Sequence, residues 1–227
     1  MIGIIGAMDE EVNKLKEVLE GAEVTTVAGM NFVKGLLEGK DVVIVRSGIG
    51  KVNAACTCVE MIKNFVPDVI INTGLAGGID KSLSVMDIVV ADKTTYHDVW
   101  CGDGCKIGQI QDLPEFFEGS KKLVDIAKNI NTDVKIHTGL IAGGDVFVTD
   151  IAKLKEIKQN FPSALAVDME STAIAQVCYL YNVPALAVRI ISDTPGIENH
   201  YNQYLDFWNK APEKSLEVIK SLVLANN

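Results

Sequence analysis

Runs of apolar, largely β-branched residues recur along the chain, at 2–6, 41–46, 68–72, 86–91, 139–142, 164–168 and 185–192. Between them lie amphipathic stretches near 9–20, 50–65, 120–130, 150–160, 170–181 and 203–225. Continuous apolar strands are buried on both faces and need helices on both sides. The alternation therefore predicts a three-layer α/β/α sandwich around a mixed, largely buried sheet. The run at 22–38, with Gly29 inside it, predicts an added meander of antiparallel strands. No internal repeat, low-complexity tract or composition shift marks a linker, so residues 1–227 are read as a single domain.

The least regular stretch is 96–119, where Gly102, Gly104, Gly108 and Pro114 break any period while Tyr96, Trp100, Phe116 and Phe117 supply aromatic surface. A loop of this length is either functional and packed on a partner or folded back on its own domain.

Composition narrows the function. The chain is 48% hydrophobic and 22% charged with a net charge of −9, and arginine occurs only at positions 46 and 189. Without a basic stripe a nucleic-acid partner is not expected. No stretch approaches twenty uninterrupted apolar residues, and Met1-Ile2-Gly3-Ile4 begins without a basic region or cleavage site, so neither membrane nor export is expected. Five scattered cysteines suit a reducing cytoplasm rather than a disulfide framework. His97, His137 and His200 have no zinc-type spacing, and Cys101 and Cys105 lack a second ligand pair, so no metal centre is expected.

Three carboxylates each follow an apolar run: Glu11, Glu170 and Asp193. Strand ends of an open α/β sheet share one crevice, where these groups can converge on a small ligand. Two of them have a local alternative. The acidic turn Asp9-Glu10-Glu11 suits the positive end of a helix dipole, and Asp193, followed by Pro195-Gly196, suits a turn. Asp168 can cap the helix that follows it, which leaves Glu170 unexplained. The first strand lacks the Gly-x-Gly-x-x-Gly spacing of a dinucleotide fold, since Met8 and Asp9 stand where the turn should continue. Asn72-Thr73-Gly74-Leu75-Ala76-Gly77-Gly78 reads either as a turn bringing amides to a phosphate or heterocycle, or simply as a tight turn at a strand end; Ser47-Gly48-Ile49-Gly50-Lys51 is a weaker copy. Phe147, after Gly143-Gly144-Asp145, can stack on a purine or fill the core. Arg189 sits in an apolar run, where an unpaired cation is costly, and so requires an acidic partner or a ligand.

Taken in order, Gly3-Ile4-Ile5-Gly6-Ala7-Met8-Asp9-Glu10-Glu11, Ser47-Gly48-Ile49-Gly50-Lys51-Val52, Asn72-Thr73-Gly74, Tyr96-His97-Asp98, Val167-Asp168-Met169-Glu170 and Ile191-Ser192-Asp193 resemble the 5′-methylthioadenosine/S-adenosylhomocysteine nucleosidases of the purine nucleoside phosphorylase and hydrolase superfamily. The resemblance runs almost end to end. It implies a nucleoside phosphorylase-like fold and hydrolysis of the bond joining adenine to a 5′-thio-substituted ribose, in methionine salvage and the recycling of S-adenosylmethionine by-products, with 5′-deoxyadenosine a further substrate. No cofactor is implied. On the matching positions Glu11 would activate water, Glu170 hold the ribose hydroxyls, and Asp193 protonate adenine at N7. Met169 would pack under the ribose, Phe147 stack on the base and the Val148 backbone read its edge. Ser192 and Arg189 would support Asp193 and the water, and Met8, Ile49, Ala76 and Gly77 would complete the substrate site. The family is typically a cytoplasmic homodimer, and 96–119 matches the part that reaches the neighbour's 5′-pocket, to which the region of Tyr201, Tyr204 and Phe207 also contributes.

The chemistry fits this allocation. Breaking an N-glycosidic bond builds positive charge on the ribose and negative charge on the departing base, which calls for an acid at the base and carboxylates near the sugar. Asp193 must then be protonated when it acts, a state that burial favours. One position departs from the pattern: Leu75 stands where many relatives have a serine. Together with the scarcity of arginine and the anionic Glu11, this disfavours phosphate as nucleophile and favours water. The alternatives are a purine nucleoside phosphorylase and a non-catalytic nucleoside-binding module.

Overall fold

The computed structural model describes residues 1–194, 207 and 211–226. Strand β1 (Ile2–Gly6), buried at every position, runs parallel to both β4 (Lys40–Arg46) and β5 (Val69–Gly78). Outward from β4, β3 (Met30–Leu37) and β2 (Glu20–Val27) complete the antiparallel meander expected over 22–38. On the other side the sheet curls. β5 pairs with β10 (Ala185–Asp193), β10 with β6 (Ile88–Tyr96), β6 with β8 (Ile136–Gly143), β8 with β9 (Ala164–Asp168), and β9 returns to β5. The two-residue β7 (Phe117–Glu118) adds to β6. The mixed α/β sheet is thus an open wing continuous with a closed ring. Inside so narrow a ring little volume is left, and Ala76, Ala91, Ala166 and Ala187 fill it with Val89, Ile141 and Ile191.

Period-2 alternation sorts the wing residues between two helical layers. Ile2, Ile4, Val42 and Ile44 pack with Val12 and Leu15 of α1 (Asp9–Glu17), Leu123 of α3 (Lys121–Ala127) and Val218 and Leu222 of α6 (Ala211–Ala225). Ile5, Val43, Val45 and Ile70 face α2 (Lys51–Phe65) and α5 (Ser171–Tyr181), meeting Ala54, Met61, Ile174 and Val177. Against the ring, Ile157 of α4 (Ile151–Asn160) joins Leu140, Phe161 and Val167. Among the described residues no helix is long and apolar enough to cross a membrane.

Three expectations need revision. The glycine-rich stretch after Asn72 is strand, not turn, as far as Gly78, because β10 pairs with β5 from Ile70 to Gly77 and β9 pairs with Gly77 and Gly78. Most of the aromatic surface expected of 96–119 is buried: Phe117 is 3% exposed with its ring edge-on to Tyr179, Phe116 packs on the α4 cluster, and only Trp100, at 64%, stands out. Phe207 belongs to the core beside Ile219, whereas Tyr201, Tyr204 and the turn at Pro195-Gly196 lie outside the described residues.

The topology decides where a ligand can enter. β1 pairs with β5 as far as Asn72, and β9 takes up β5 only at Gly77. Between these points one edge of β5 has no strand partner, and a crevice opens at the carboxyl end of β1, as at the switch points of other open α/β sheets.

Candidate active site

The crevice has a cavity volume of about 110 Å³ and opens to solvent. Its wall is built from segments far apart in sequence: Ala7, Met8 and Glu11; Ile49; Leu75 to Gly77; Val146 to Val148; Val167 to Glu170; and Ser192 with Asp193.

Glu11 is the third residue of α1, and its carboxylate reaches back to the helix start, where Oε2 accepts the amides of Ala7 (2.6 Å) and Met8 (2.9 Å). The Met8 contact caps the start of the helix, where the dipole argument placed an acidic residue. The other oxygen does something the helix does not require: Oε1 crosses to the unpaired edge of β5 and accepts the Leu75 amide at 3.1 Å. Gly74 makes this possible, since a Cβ there would stand 2.8 Å from Oε1. The glycine gives the carboxylate room. Burial pushes the Glu11 carboxyl above its ordinary value, against the charge of Arg189 and the three amides, which favour the anion.

Glu170 closes the amino end of α5, 8% exposed, and accepts the Gly50 amide at 2.9 Å. Burial, followed by the charges of Asp168 and Glu11, pushes its carboxyl up to about 7, with Arg189 and the Gly50 amide opposing. Asp193 is 2% exposed and accepts the Ser192 hydroxyl at 2.6 Å. The β5–β10 register is irregular between Ile191 and Asp193, and both Ser192 and Asp193 line the cleft, the re-aiming that a bulge allows.

Arg189 lies behind the wall rather than in it. Its partner is Asp168, whose Oδ2 accepts Nε at 2.8 Å and lies 2.7 Å from NH2; NH1 donates to the Asn72 carbonyl at 2.9 Å, and NH2 donates to the Asn72 side chain. Both charged side chains are 1% exposed. The requirement for an acidic partner is met, and through Asp168 and Asn72 Arg189 anchors β9 to β10 and β5. Asp168 also accepts the Ser171 hydroxyl (2.8 Å) and amide (3.2 Å) from the first turn of α5, although the capping position itself falls on Glu170.

The other sequence-predicted residues, Met8, Ile49, Ala76, Gly77, Phe147, Val148 and Met169, all line the cleft. Phe147 is 48% exposed, so core packing does not account for it, whereas Val148 is 4% exposed. Sequence reasoning missed Ala7, Val146, Val167 and Asp168 as lining residues; only Asp168, beside Glu170 in the same motif, carried a chemical signal. Leu75 keeps the amide that holds Glu11 and packs against the core cluster under α1. No residue of 96–119 is among those lining the cleft.

The arrangement brings two elevated or polarised acids and a third carboxylate around an apolar cleft with one exposed aromatic face. It can activate water at one point and protonate a leaving group at another. Residues 1–224 match the Phosphorylase superfamily. The 5′-methylthioadenosine/S-adenosylhomocysteine nucleosidase of Staphylococcus aureus is 43% identical over 226 residues, covering 98% of this chain and 99% of the relative. Among solved structures, the nucleosidase of that name from Colwellia psychrerythraea, in complex with adenine, superposes with a TM-score of 0.94 at 41% identity over 99% of this chain and 94% of its own. That from Streptococcus pneumoniae, with the transition-state inhibitor MT-ImmA, gives 0.94 at 37% identity over 100% and 99%. The chain belongs to the 5′-methylthioadenosine/S-adenosylhomocysteine nucleosidase family of the phosphorylase superfamily.

Proposed function

We propose that the chain, acting as a single domain over 1–227, hydrolyses the N-glycosidic bond of 5′-methylthioadenosine and S-adenosylhomocysteine, and of 5′-deoxyadenosine, releasing adenine. The observation that carries the reading is the convergence of Glu11, Glu170 and Asp193 on one cleft that Phe147 and Met169 also line. Glu11 is the base: burial raises its basicity while three amides hold it in place. Asp193, with Ser192 on one oxygen, delivers the proton to the departing adenine. Glu170 holds the ribose hydroxyls, whose bonds strengthen as positive charge grows on the sugar. Met8 and Ile49 close over the ribose side, and Ala76, Gly77 and Val148 frame the base.

Water as nucleophile is favoured over phosphate because the described cleft lining contains no arginine or lysine, and both arginines have carboxylate partners: Arg46 with Asp9, Arg189 with Asp168. Incubation with methylthioadenosine in phosphate-free buffer should release adenine and a free thio-ribose. Turnover that requires phosphate and yields a sugar 1-phosphate would make the protein a phosphorylase, and adenine binding without turnover would make it a binding module.

The enzyme works as a cytoplasmic homodimer in this reading. Ile49, Val146 and Phe147 at the cleft, and Trp100 in the loop that follows β6, expose apolar surface that association would cover, and the loop would complete the neighbour's 5′-pocket. Sedimentation showing a fully active monomer at micromolar concentration would contradict both the dimer and the shared pocket.

A further inference from the structure

We infer that Asp98 is a positioning residue of the cleft, closing a ring of hydrogen bonds that sets the Phe147 wall against the Ile49 and Glu170 side. The inference rests on the nucleosidase reading for its substrate and on geometry for the rest. Asp98 Oδ2 accepts both the Lys51 ammonium and the Asp145 amide, each at 2.8 Å. Asp145 Oδ1 in turn accepts the Lys51 amide at 2.7 Å. Three segments separated by 47 and 94 residues are tied into one loop of contacts.

Each tie adjoins the cleft. Lys51 follows Gly50, whose amide holds Glu170, and Gly50 follows Ile49. Asp145 precedes Val146, Phe147 and Val148. The turn that carries Phe147 is pressed onto the Asp98 segment: the His97 amide donates to the Gly143 carbonyl at 2.9 Å, and a Cβ at Gly144 would stand 2.6 Å from the His97 ring and 2.8 Å from Asp98 Cγ. The Lys51 ammonium also lies 5.3 Å from the centre of the Tyr96 ring. Asp145 brings a second carboxylate to the same place, its Oδ1 on the Lys51 amide while the Lys51 ammonium pairs with Asp98. Asp98 therefore sits where the two walls can be spaced by a single side chain, without touching substrate.

The test compares Asp98→Ala, Asp98→Asn, Asp145→Ala and the double alanine variant with the wild-type enzyme. In Asp98→Ala the KM for methylthioadenosine and the Kd for adenine should rise about 10- to 100-fold, the loss expected for a hydrogen bond to a charged group, with a much smaller change in kcat. The pH profile should keep its limbs, because Glu11 and Asp193 are untouched. Asp98→Asn retains an acceptor for the Asp145 amide and loses only the partly exposed ion pair, so it should recover to within about fivefold of wild type. The double variant should be no worse than the poorer single one, since either change opens the same ring. Unchanged KM and adenine affinity, additive losses, or a shifted pH profile would each overturn the assignment. Amide exchange separates this from the activity reading: protection at 145–148 should fall in Asp98→Ala and return in Asp98→Asn even if the wild-type enzyme releases no adenine, and unchanged protection overturns the ring itself.

Discussion

Replacing Glu170 by Gln separates what the site does from what it costs. The Glu170 carboxyl rises from 4.5 to about 7 in the folded protein. At about 1.4 kcal/mol per pH unit, holding the anion there destabilises the fold by about 3 kcal/mol once the group is ionised in both states. The sign follows from proton binding. Below pH 4.5 the carboxyl is neutral whether folded or unfolded, and nothing is lost; between pH 4.5 and about 7 the unfolded chain releases the proton first, and folding stability declines; above about 7 the loss is complete. Gln keeps the acceptor for the Gly50 amide but never ionises. The stability of Glu170→Gln minus that of wild type should therefore grow by about 3 kcal/mol from pH 4.5 to 7.5 and then level off. Urea unfolding at fixed protein concentration, at several pH values across this window, measures the difference. Turnover should fall by about 10- to 100-fold as the charged contact to the ribose is lost. A stability difference that stays flat with pH, or that shrinks as pH rises, would refute the argument that burial elevates this group.

Asp193→Asn keeps size and the contact with Ser192 but carries no transferable proton, so turnover of methylthioadenosine should drop about 10²- to 10⁴-fold with adenine affinity largely kept; near-normal kinetics would remove Asp193 from its role. Gly74→Ala places a methyl 2.8 Å from Glu11 Oε1 and should reduce kcat while destabilising the fold by about 1–3 kcal/mol, read by steady-state kinetics and urea unfolding. Arg189→Met strands the buried Asp168 and should cost about 3–5 kcal/mol of stability, part of which the double variant Arg189→Met/Asp168→Asn should recover; equal losses in both would mean that the pairing is not what matters. The acid limb of kcat/KM should lie above the usual glutamate range, because Glu11 must lose a proton that burial helps it keep.

Much of this was legible in one dimension because the signals are local. Strands such as Ile2–Gly6 and Lys40–Arg46 are apolar because helices cover both faces, and the meander over 22–38 follows from its turns. The order of short motifs pointed to the residues of the cleft, since each carboxylate follows a strand whose end the fold must bring to one edge. Long-range geometry was not legible. Glycines at 74 and 77 read equally well as a turn, and the pairing of β5 with β10, joined at Gly77 by β9, keeps them in a strand. That Arg189 needed an anion followed from its apolar neighbours, but the choice of Asp168 depends on strands β9 and β10 flanking β5 on its two edges, an arrangement with no signature in either segment. The crevice itself exists because β1 stops at Gly6 before β9 begins on the same edge of β5. Chain composition determines which residues are buried and which carry chemistry; which of them face one another is decided by strand ends and register, quantities that arise only when the sheet closes.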